Sequence, residues 1–285
     1  MGLRQLAGRI LSRALDTLAD FLVGAFRLEG GSQWSARVSE RVSHNIIRIT
    51  DDAEYIFAID NTLLLWRAKT LFSKEPETIR WIRGFGAEDV FFDIGANVGS
   101  YTVYAGKRCR RVIAFEPEAQ NFAVLNRNIA LNKLQDKVVA FPFALSDERK
   151  LDTLRLNTLN AGAALHAFGT NIDFKGEHFE SAFEQGSISL TLDELALSCG
   201  LDFPNFIKID VDGLESRIIN GGKQVLRDTR LRGLLLELNE SSADDMSLIA
   251  LLKSCGLSVS ARGDAVIDPR GRFSMRNFIF SRDAG

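Results

Sequence analysis

The sequence has 285 residues, of which 46% are hydrophobic, enough for a sizeable core in one α/β domain with an N-terminal extension. Lysine and arginine total 35 against 37 for aspartate and glutamate, so no basic excess would draw the chain to nucleic acid, and we expect no nucleic-acid partner. The three scattered cysteines are typical of reduced thiols in a cytoplasmic protein. The three histidines match no zinc pattern, and the sequence indicates no metal site.

The N-terminal segment predicts an amphipathic helix over residues 3–26, because apolar residues recur there at the spacing of one helical face. Charged residues interrupt it too often for a signal-peptide core or a transmembrane span. We expect the helix to pack on its own domain or on a second copy of the chain, which would make a homo-oligomer. A membrane-surface helix is the less favoured alternative, because the charges on its polar face are mixed.

Residues 28–70 predict a small accessory element, in which "NIIRIT" and "YIFAID" alternate as strands do. The segment "EPETIRWIRGFGAEDV" then predicts a helix with Pro76 in its first turn and Gly84 at its end. No flexible linker divides the chain. We therefore divide it into an N-terminal helix and accessory segment, residues 1–70, and one larger domain, residues 71–285.

From residue 90 onward, short β-rich runs alternate with helical segments. The runs are "VFFDIG", "RVIAFEP", "VVAFPFALSD", "FIKIDVDG", "GLLLELN" and "FIFSRD". Nearly continuous apolar strands have helices on both faces, as in the parallel sheet of an α/β fold. The pattern predicts a Rossmann-like, doubly wound, mostly parallel sheet. The ligand of such a sheet lies beyond the carboxyl ends of the strands, near the point where strand order reverses.

Glycines and carboxylates stand at the ends of these predicted strands. After the first strand, the turn "GANVG" begins at Gly95, and its two glycines permit close approach of the backbone to a ligand. Glu116 ends the second strand about 20 residues later, a distance that suits an acid binding a ribose diol. The third run ends in Ala144 and Leu145, where a base would lie, and the fourth ends in Asp210.

Two ligand classes compete for this turn. A dinucleotide needs the full G-x-G-x-x-G turn, and Asn97 stands where the middle glycine would be, which obstructs approach of the backbone to a pyrophosphate. S-adenosylmethionine has no phosphate, and its amino acid end suits turn amides and a nearby carboxylate such as Asp93. The sequence therefore favours S-adenosylmethionine over a nicotinamide as the cofactor.

The chain resembles the FkbM family of class I S-adenosylmethionine-dependent methyltransferases over residues 70–240. The resemblance rests on "EPETIRWI", "VFFDIGANVGSYTVYAGK", "VIAFEPEAQNFAVLNRNIALN", "ALSD", "SISLTLDEL", "PNFIKIDVDGLESRIINGG" and "LLLELN". It implies a seven-stranded sheet whose last strand, "RNFIFSRD", runs antiparallel. It also implies O-methylation of a hydroxyl group on a sugar, a glycan or a secondary metabolite.

The same resemblance assigns site residues by position. The residues that match the methyl-donor turn are Asp93, Gly95, Ala96, Asn97 and Gly99. Glu116 matches the ribose-binding acid, Asn121 follows it near the adenosine, and Ala144 and Leu145 match the adenine edge. Asp210 matches the acid beside the transferred methyl group, and we predict it to be the catalytic base, ahead of Asp212, Glu215 and His166.

The segment over residues 157–186 has no clear period, and a loop of this length in a compact domain is usually functional or disordered. We hypothesise that it forms a lid over a small-molecule or glycan acceptor. Lys208 stands inside an apolar strand and predicts either an ion pair near the crevice or a substrate contact. Two other functions stay open: a catalytically inactive scaffold with a methyltransferase fold, and an NAD-dependent oxidoreductase.

Overall fold

The computed structural model describes residue 17 and residues 45–170, 178–268 and 272–282. The chain divides into two compact units, residues 1–46 and 47–285. The helix predicted over residues 3–26 lies outside the described residues apart from Thr17, so its packing stays a prediction. Among the described residues, no helix combines the length and apolar character needed to cross a bilayer.

Strands and helices alternate through most of the larger unit. The described strands are β1 (Ile46–Thr50), β2 (Glu54–Ala58), β3 (Val90–Ile94), β4 (Arg111–Phe115), β5 (Val138–Phe141), β6 (Ala144–Leu145), β7 (Lys150–Leu156), β8 (Ala167–Phe168), β9 (Phe183–Leu190), β10 (Phe206–Ile209), β11 (Gly233–Asn239), β12 (Leu257–Arg262), β13 (Val266–Ile267) and β14 (Ser274–Arg282). The described helices are α1 (Thr62–Lys69), α2 (Pro76–Arg83), α3 (Ser100–Gly106), α4 (Ala119–Leu131), α5 (Leu192–Leu197), α6 (Glu215–Asn220), α7 (Lys223–Arg227) and α8 (Ala243–Ser254).

The main sheet has the strand order β12-β14-β11-β10-β3-β4-β5, and the short β13 pairs with β14. Strands β5, β4, β3, β10 and β11 are parallel to their neighbours in this series, whereas β14 runs antiparallel to both β11 and β12. The structure confirms the predicted Rossmann-like sheet with its antiparallel last strand. Strand order reverses between β3 and β10, so the carboxyl ends of these two strands define the ligand crevice.

Apolar side chains cover both faces of this sheet because successive residues of a strand point to opposite sides. Phe91 packs into a cluster with residues of α2, α3 and α4, whereas the adjacent Phe92 packs into a cluster with residues of α5, α6, α7 and α8. Both phenylalanines are fully buried. This two-sided burial explains why the central strands read as continuous apolar runs.

The predicted third strand divides into two strands that lie in different sheets. β5 ends the main sheet, but Ala144 and Leu145 form β6, which pairs in parallel with β9. A separate four-stranded sheet has the order β6-β9-β7-β8. The prediction that Ala144 and Leu145 end a strand of the main sheet was therefore wrong. The chain leaves that sheet through Pro142, which cannot donate a ladder hydrogen bond.

The segment over residues 157–186 follows β7, contains β8 and ends within β9, all strands of this second sheet. β7 pairs antiparallel with both β8 and β9, so the described parts of the segment connect three paired strands. Residues 171–177 lie outside the described residues.

The accessory strands pack on the larger domain, although the sequence was divided at residue 70. The Asn128 side chain on α4 accepts from the Ala58 amide at 2.9 Å, and Asn132 accepts from the Ile56 amide at 3.0 Å. Asn132 also donates to the Ile56 carbonyl at 2.7 Å. These bonds join β2 to α4, so residues 54–58 belong to the same compact unit as the sheet.

Candidate active site

The crevice is built where the turn after β3 meets the end of β10. Gly95 has φ +79°, and a Cβ placed there would lie 1.9 Å from the carbonyl oxygen of Asp210. The Asp210 amide in turn donates to the Ile94 carbonyl at 3.1 Å. Gly99, with φ +84°, lets the start of α3 approach Leu125 on α4. The turn therefore brings bare backbone to the mouth of the crevice, which is what a ligand cradle requires.

Three adjoining cavities follow this crevice. The strand-end cavity, of about 70 Å³, has mostly apolar walls with a few polar side chains at its rim. Its lining includes Ile94, Phe115, Glu116, Asn121, Phe143, Ala144, Leu145, Leu154, His166 and Phe168. The acid cavity, of about 320 Å³, is lined among others by Arg67, Lys74, Asp210, Asp212, Glu237, Val266, Phe273 and Met275. The turn cavity, of about 50 Å³, is lined among others by Arg67, Lys74, Gly95, Ala96, Asn97, Tyr101, Lys208 and Asp210.

Glu116 lines the strand-end cavity, and its predicted role as the ribose-binding acid stays a prediction. Its Oε2 accepts from the Asn97 amide at 2.7 Å and its Oε1 accepts from the Glu118 amide at 2.9 Å. Burial raises the pKa of Glu116 to about 7, although these two amide bonds oppose the shift. The carboxyl group is therefore oriented by backbone and close to its midpoint of ionisation at neutral pH.

Asn97 and Asn121 are both committed to one backbone segment, which we name the strap, residues 161–166. Each side chain donates to the carbonyl of Ala163, at 2.7 Å from Asn97 and 3.1 Å from Asn121. The Asn121 side chain also accepts from the Gly162 amide at 2.7 Å. These amides hold the strap against the turn, a positioning role that the sequence did not indicate.

Asp93 is almost fully buried and lines none of the three cavities. Its Oδ2 accepts from the Thr102 hydroxyl at 2.5 Å, and among the described residues its Oδ1 has no hydrogen-bond partner. Burial raises the pKa of Asp93, and the Lys208 ammonium works against that shift. The carboxyl therefore lies behind the turn rather than on its ligand-facing side.

Lys208 is buried and donates to Asp210 at 2.6 Å. This is the ion pair near the crevice that the sequence left open against a substrate contact. Burial works to raise the pKa of Asp210, but the ammonium of Lys208 and the nearby cations Lys74 and Arg67 outweigh it and lower the pKa. Asp210 is therefore an ionised, ion-paired carboxylate at the mouth of the crevice.

Two further carboxyl groups face Asp210 across the acid cavity. The nearest oxygens of Asp210, Asp212 and Glu237 lie within 4.8 Å of one another, close enough to share a proton or hold a cation. Burial is the main cause that raises the pKa of Asp212 to about 6 and that of Glu237 to about 9. Glu237 was not predicted from the sequence, although it stands near the carboxyl end of β11. Ligands of such sheets bind beyond the carboxyl ends of the strands, and this applies to β11 as well.

His166 reaches the strand-end cavity from the end of the strap. Both ring nitrogens are buried without a hydrogen-bond partner among the described residues. Burial lowers the pKa of His166 to about 4, so the ring is neutral near neutral pH. A neutral ring in this cavity can contact a bound nucleoside. His166 does not line the acid cavity, where Glu237 lies.

Comparison with known proteins decides the family. The family model described as "Methyltransferase FkbM domain" matches residues 93–259, more than half of the chain. The chain belongs to the FkbM methyltransferase family. The matched residues begin at Asp93 and contain the turn, Glu116, Asp210 and Glu237.

Curated proteins that resemble this FkbM-family chain act on different acceptors. The hexuronic acid methyltransferase AglP of Haloferax volcanii is 22% identical over 205 residues, which cover 71% of this chain and 77% of AglP. The 31-O-demethyl-FK506 methyltransferase FkbM of Streptomyces tacrolimicus is 26% identical over 198 residues, which cover 62% of this chain and 75% of that protein.

A solved structure of the methyltransferase FkbM from Methylobacillus flagellatus KT is also similar. It aligns with a TM-score of 0.44 and 14% identity, and the alignment covers 68% of this chain and 44% of that chain.

Two basic residues of the site stand before the part that the family model matches. Arg67 lies in the last turn of α1, and Lys74 follows that helix; both line the acid cavity and the turn cavity. The sequence reading did not select them, because a cation on a short helix carries no pattern that separates it from a solvated surface residue. Only the fold shows that α1 ends over the glycine turn.

Proposed function

We propose that this FkbM-family protein transfers a methyl group from S-adenosylmethionine to a hydroxyl group of a sugar, a glycan or a secondary metabolite. The observation that carries the proposal is the strand-end cavity, an apolar slot with the backbone-oriented carboxyl of Glu116 at its rim. The lining offers what adenosine needs, apolar walls for the base and an acid for the ribose diol. When bound, this cofactor would supply an electrophilic methyl group.

Different residues of the cavity would bind different parts of the cofactor. Ala144 and Leu145 form one wall, Phe143 adds an aromatic surface, and Glu116 would accept hydrogen bonds from the two ribose hydroxyls. Gly95, whose lack of a side chain lets the turn pack against the Asp210 backbone, lines all three cavities and would offer its backbone to the ligand. Together these groups would orient the reacting centre toward the acid cavity, and methyl transfer depends chiefly on such alignment.

The catalytic base is the second part of the proposal. We predicted Asp210, yet its ion pair with Lys208 and its lowered pKa reduce its affinity for a proton. Asp212, whose pKa burial raises to about 6, is better matched to accept a proton near neutral pH. Both carboxyls line the acid cavity, where an acceptor hydroxyl would enter.

Substitution of each aspartate separates these two assignments. We expect Asp212→Asn to lower turnover by roughly 10²- to 10⁴-fold, the usual contribution of a general base. Asp210→Asn should leave a smaller kinetic defect and a lower melting temperature, because it removes the counter-ion of a buried lysine. Turnover is measured with the acceptor that a screen of glycans and metabolites finds. A larger kinetic loss in Asp210→Asn would restore Asp210 as the base.

The acid cavity supports the acceptor class. Its carboxyls offer hydrogen bonds to several hydroxyl groups, while Val266 and Met275 add apolar surface. Sugars need this combination, and AglP and the Streptomyces FkbM are named for a hexuronic acid and for FK506.

Two experiments test the function. Calorimetry with S-adenosylmethionine, S-adenosylhomocysteine and NAD should show binding of the first two; binding of NAD alone would overturn the proposal in favour of an oxidoreductase. Binding of none of the three would favour an inactive scaffold. Incubation with S-adenosylmethionine and a panel of glycans and metabolites should then add the mass of one CH₂ group to the true acceptor.

A further inference from the structure

The Arg67 side chain forms a hydrogen bond with the backbone of the strap. Its Nε donates to the carbonyl of Gly162 in the strap at 2.6 Å, which restrains the position of the guanidinium. Within residues 45–170, 178–268 and 272–282, the guanidinium forms no ion pair within 4 Å. Arg67 lines both the acid cavity and the turn cavity. A restrained guanidinium that lines a cavity and forms no close ion pair of its own can bind an anion.

The other charged groups of the site do not supply a close counter-ion for Arg67. Asp210 and Asp212 attract Arg67 electrostatically, but neither pairs with it closely. Asp210 is bound to Lys208 at 2.6 Å, and Asp212 accepts from the Leu165 amide at 2.6 Å. Glu237 is mostly protonated near neutral pH, since burial raises its pKa to about 9. Of the other two cations of the site, Lys208 pairs with Asp210 and Lys74 pairs with Glu75 at 2.6 Å. Arg67 is thus the cation of this group that lacks a close counter-ion.

We propose that Arg67 binds the carboxylate at the amino acid end of the methyl donor. This inference rests on the proposed function, because it assumes S-adenosylmethionine as the donor. With the ribose at Glu116, the amino acid end would extend along the glycine turn into the turn cavity, which Arg67 lines together with Gly95 and Asn97. A guanidinium binds a carboxylate through two parallel N–H···O bonds, so it fixes orientation as well as charge.

The carboxylate of an acidic acceptor is the other source of the same chemistry, because Arg67 also lines the acid cavity. The position of Arg67 along the turn favours the donor. Its bond to Gly162 adds a second function: the strap and the donor would be held by the same side chain. Arg67 is therefore a binding residue for the donor, supplied from outside the part of the chain that the family model matches.

A pair of ligands that differ only in the carboxylate tests the assignment. We would measure binding of S-adenosylmethionine and of decarboxylated S-adenosylmethionine by calorimetry, without acceptor, to the full chain. Arg67→Met should weaken S-adenosylmethionine roughly 10- to 100-fold and the decarboxylated ligand less than about twofold, as expected for loss of a charge-assisted hydrogen-bond pair. Arg67→Lys, which keeps the charge but not the fork, should lie between wild type and Arg67→Met.

Lys69→Met is the matched control, because Lys69 is an exposed cation on the same helix that lines none of the three cavities. It should leave both affinities unchanged. Equal weakening of the two ligands by Arg67→Met and Arg67→Lys would overturn the inference, because Arg67 would then act only through the strap. Unchanged affinities would also overturn it and move the anion to the acceptor. If wild type binds neither ligand, the proposed function fails as well, and the wild-type titration alone reports that outcome.

Discussion

At the scale of single residues, Gly95 is the least replaceable position of the crevice. Its φ of +79° already disfavours a side chain, and a Cβ there would meet the Asp210 carbonyl at 1.9 Å. Gly200 has a similar φ of +71°, but nothing lies within 4 Å of the position that its Cβ would take. The two glycines therefore separate the cost of backbone strain from the cost of overlap.

We expect Gly200→Ala to lower the free energy of unfolding by about 1–2 kcal/mol, the usual cost of a left-handed conformation for a non-glycine residue. Gly95→Ala should cost roughly 1–3 kcal/mol more, because the backbone around Asp210 must move. Chemical denaturation of both variants measures the difference. Equal losses in the two variants would show that the close approach does not constrain the fold.

Glu116 links the affinity for the donor to pH. Because burial raises its pKa to about 7, a large share of the population carries a proton on this carboxyl just below neutrality. The ionised carboxylate accepts both ribose bonds, so affinity should rise as pH increases through about 7 and then level off. Glu116→Gln should weaken binding by about 1.5–3 kcal/mol, roughly ten- to hundredfold, and flatten the pH profile.

Calorimetry over a pH series measures this dependence. Glu88→Gln is the control, since Glu88 is exposed and lines none of the three cavities. A wild-type profile that is flat through pH 7, or one that Glu116→Gln leaves intact, would remove Glu116 from the ribose role.

At the scale of elements, two buried asparagines of α4 bind three other segments: the strap, β2 and the turn. Asn121 bonds to Gly162 and Ala163 in the strap, and Asn128 bonds to Ala58 in β2 and Val98 in the turn. Both side chains are almost fully buried, so each pair of bonds is sheltered from water. The helix therefore serves as a common anchor for the accessory strands and for the strap.

Replacing each asparagine with alanine should loosen only the segment that it holds. We expect Asn121→Ala to speed amide hydrogen exchange in residues 161–166, and Asn128→Ala to speed it around Ala58 and in the turn around Val98. Each should cost about 1–3 kcal/mol, because two hydrogen bonds are lost in each case. Exchange followed by mass spectrometry locates the change. The same exchange pattern in both variants would mean that the strap is not separately fastened.

Sequence patterns predicted the strands and helices that local periodicity identifies. The strand ends at Glu116 and Asp210 were found because apolar runs finish there, and parallel strands place their carboxyl ends along one edge. The positions of Ala144 and Leu145 were misassigned because their partner strand, β9, begins about 40 residues later, beyond the reach of local pattern. The strap was missed for the same reason, since its bonds come from side chains on distant elements.

The alternating pattern that identified the sheet says nothing about charges brought together from separate segments. Arg67, Glu237 and Asp212 come from three parts of the chain and meet only at the acid cavity. Their pKa shifts depend on burial, which the folded arrangement sets. Such clusters can be predicted as residue types at strand ends, but their protonation cannot.

At the scale of the whole molecule, the buried carboxyls set how stability changes with pH. Burial raises the pKa of Glu215 to about 8 and that of Glu237 to about 9, from ordinary values of 4.5. A group whose pKa is raised on folding contributes stability below its unfolded pKa and loses it as pH rises through its folded pKa. The ligand-free protein should therefore become less stable as pH rises from about 4.5 toward about 9.

Thermal unfolding across this range measures the effect. Glu237→Gln cannot ionise, so its melting temperature should fall less steeply with pH than that of wild type. A variant that falls as steeply as wild type would show that Glu237 is already ionised in the folded protein.

The contact of Gly95 with Asp210 also governs how this protein can change over many generations. A carbonyl oxygen belongs to every residue type, so no substitution at position 210 could make room for a side chain at position 95. Position 95 thus has no compensating partner, and a selection for folded variants should recover glycine there in every genetic background. The side chain at position 210 is constrained for another reason, its ion pair with the buried Lys208. New acceptors can therefore be acquired by altering other walls of the acid cavity, such as Val266 and Met275, while the turn stays fixed.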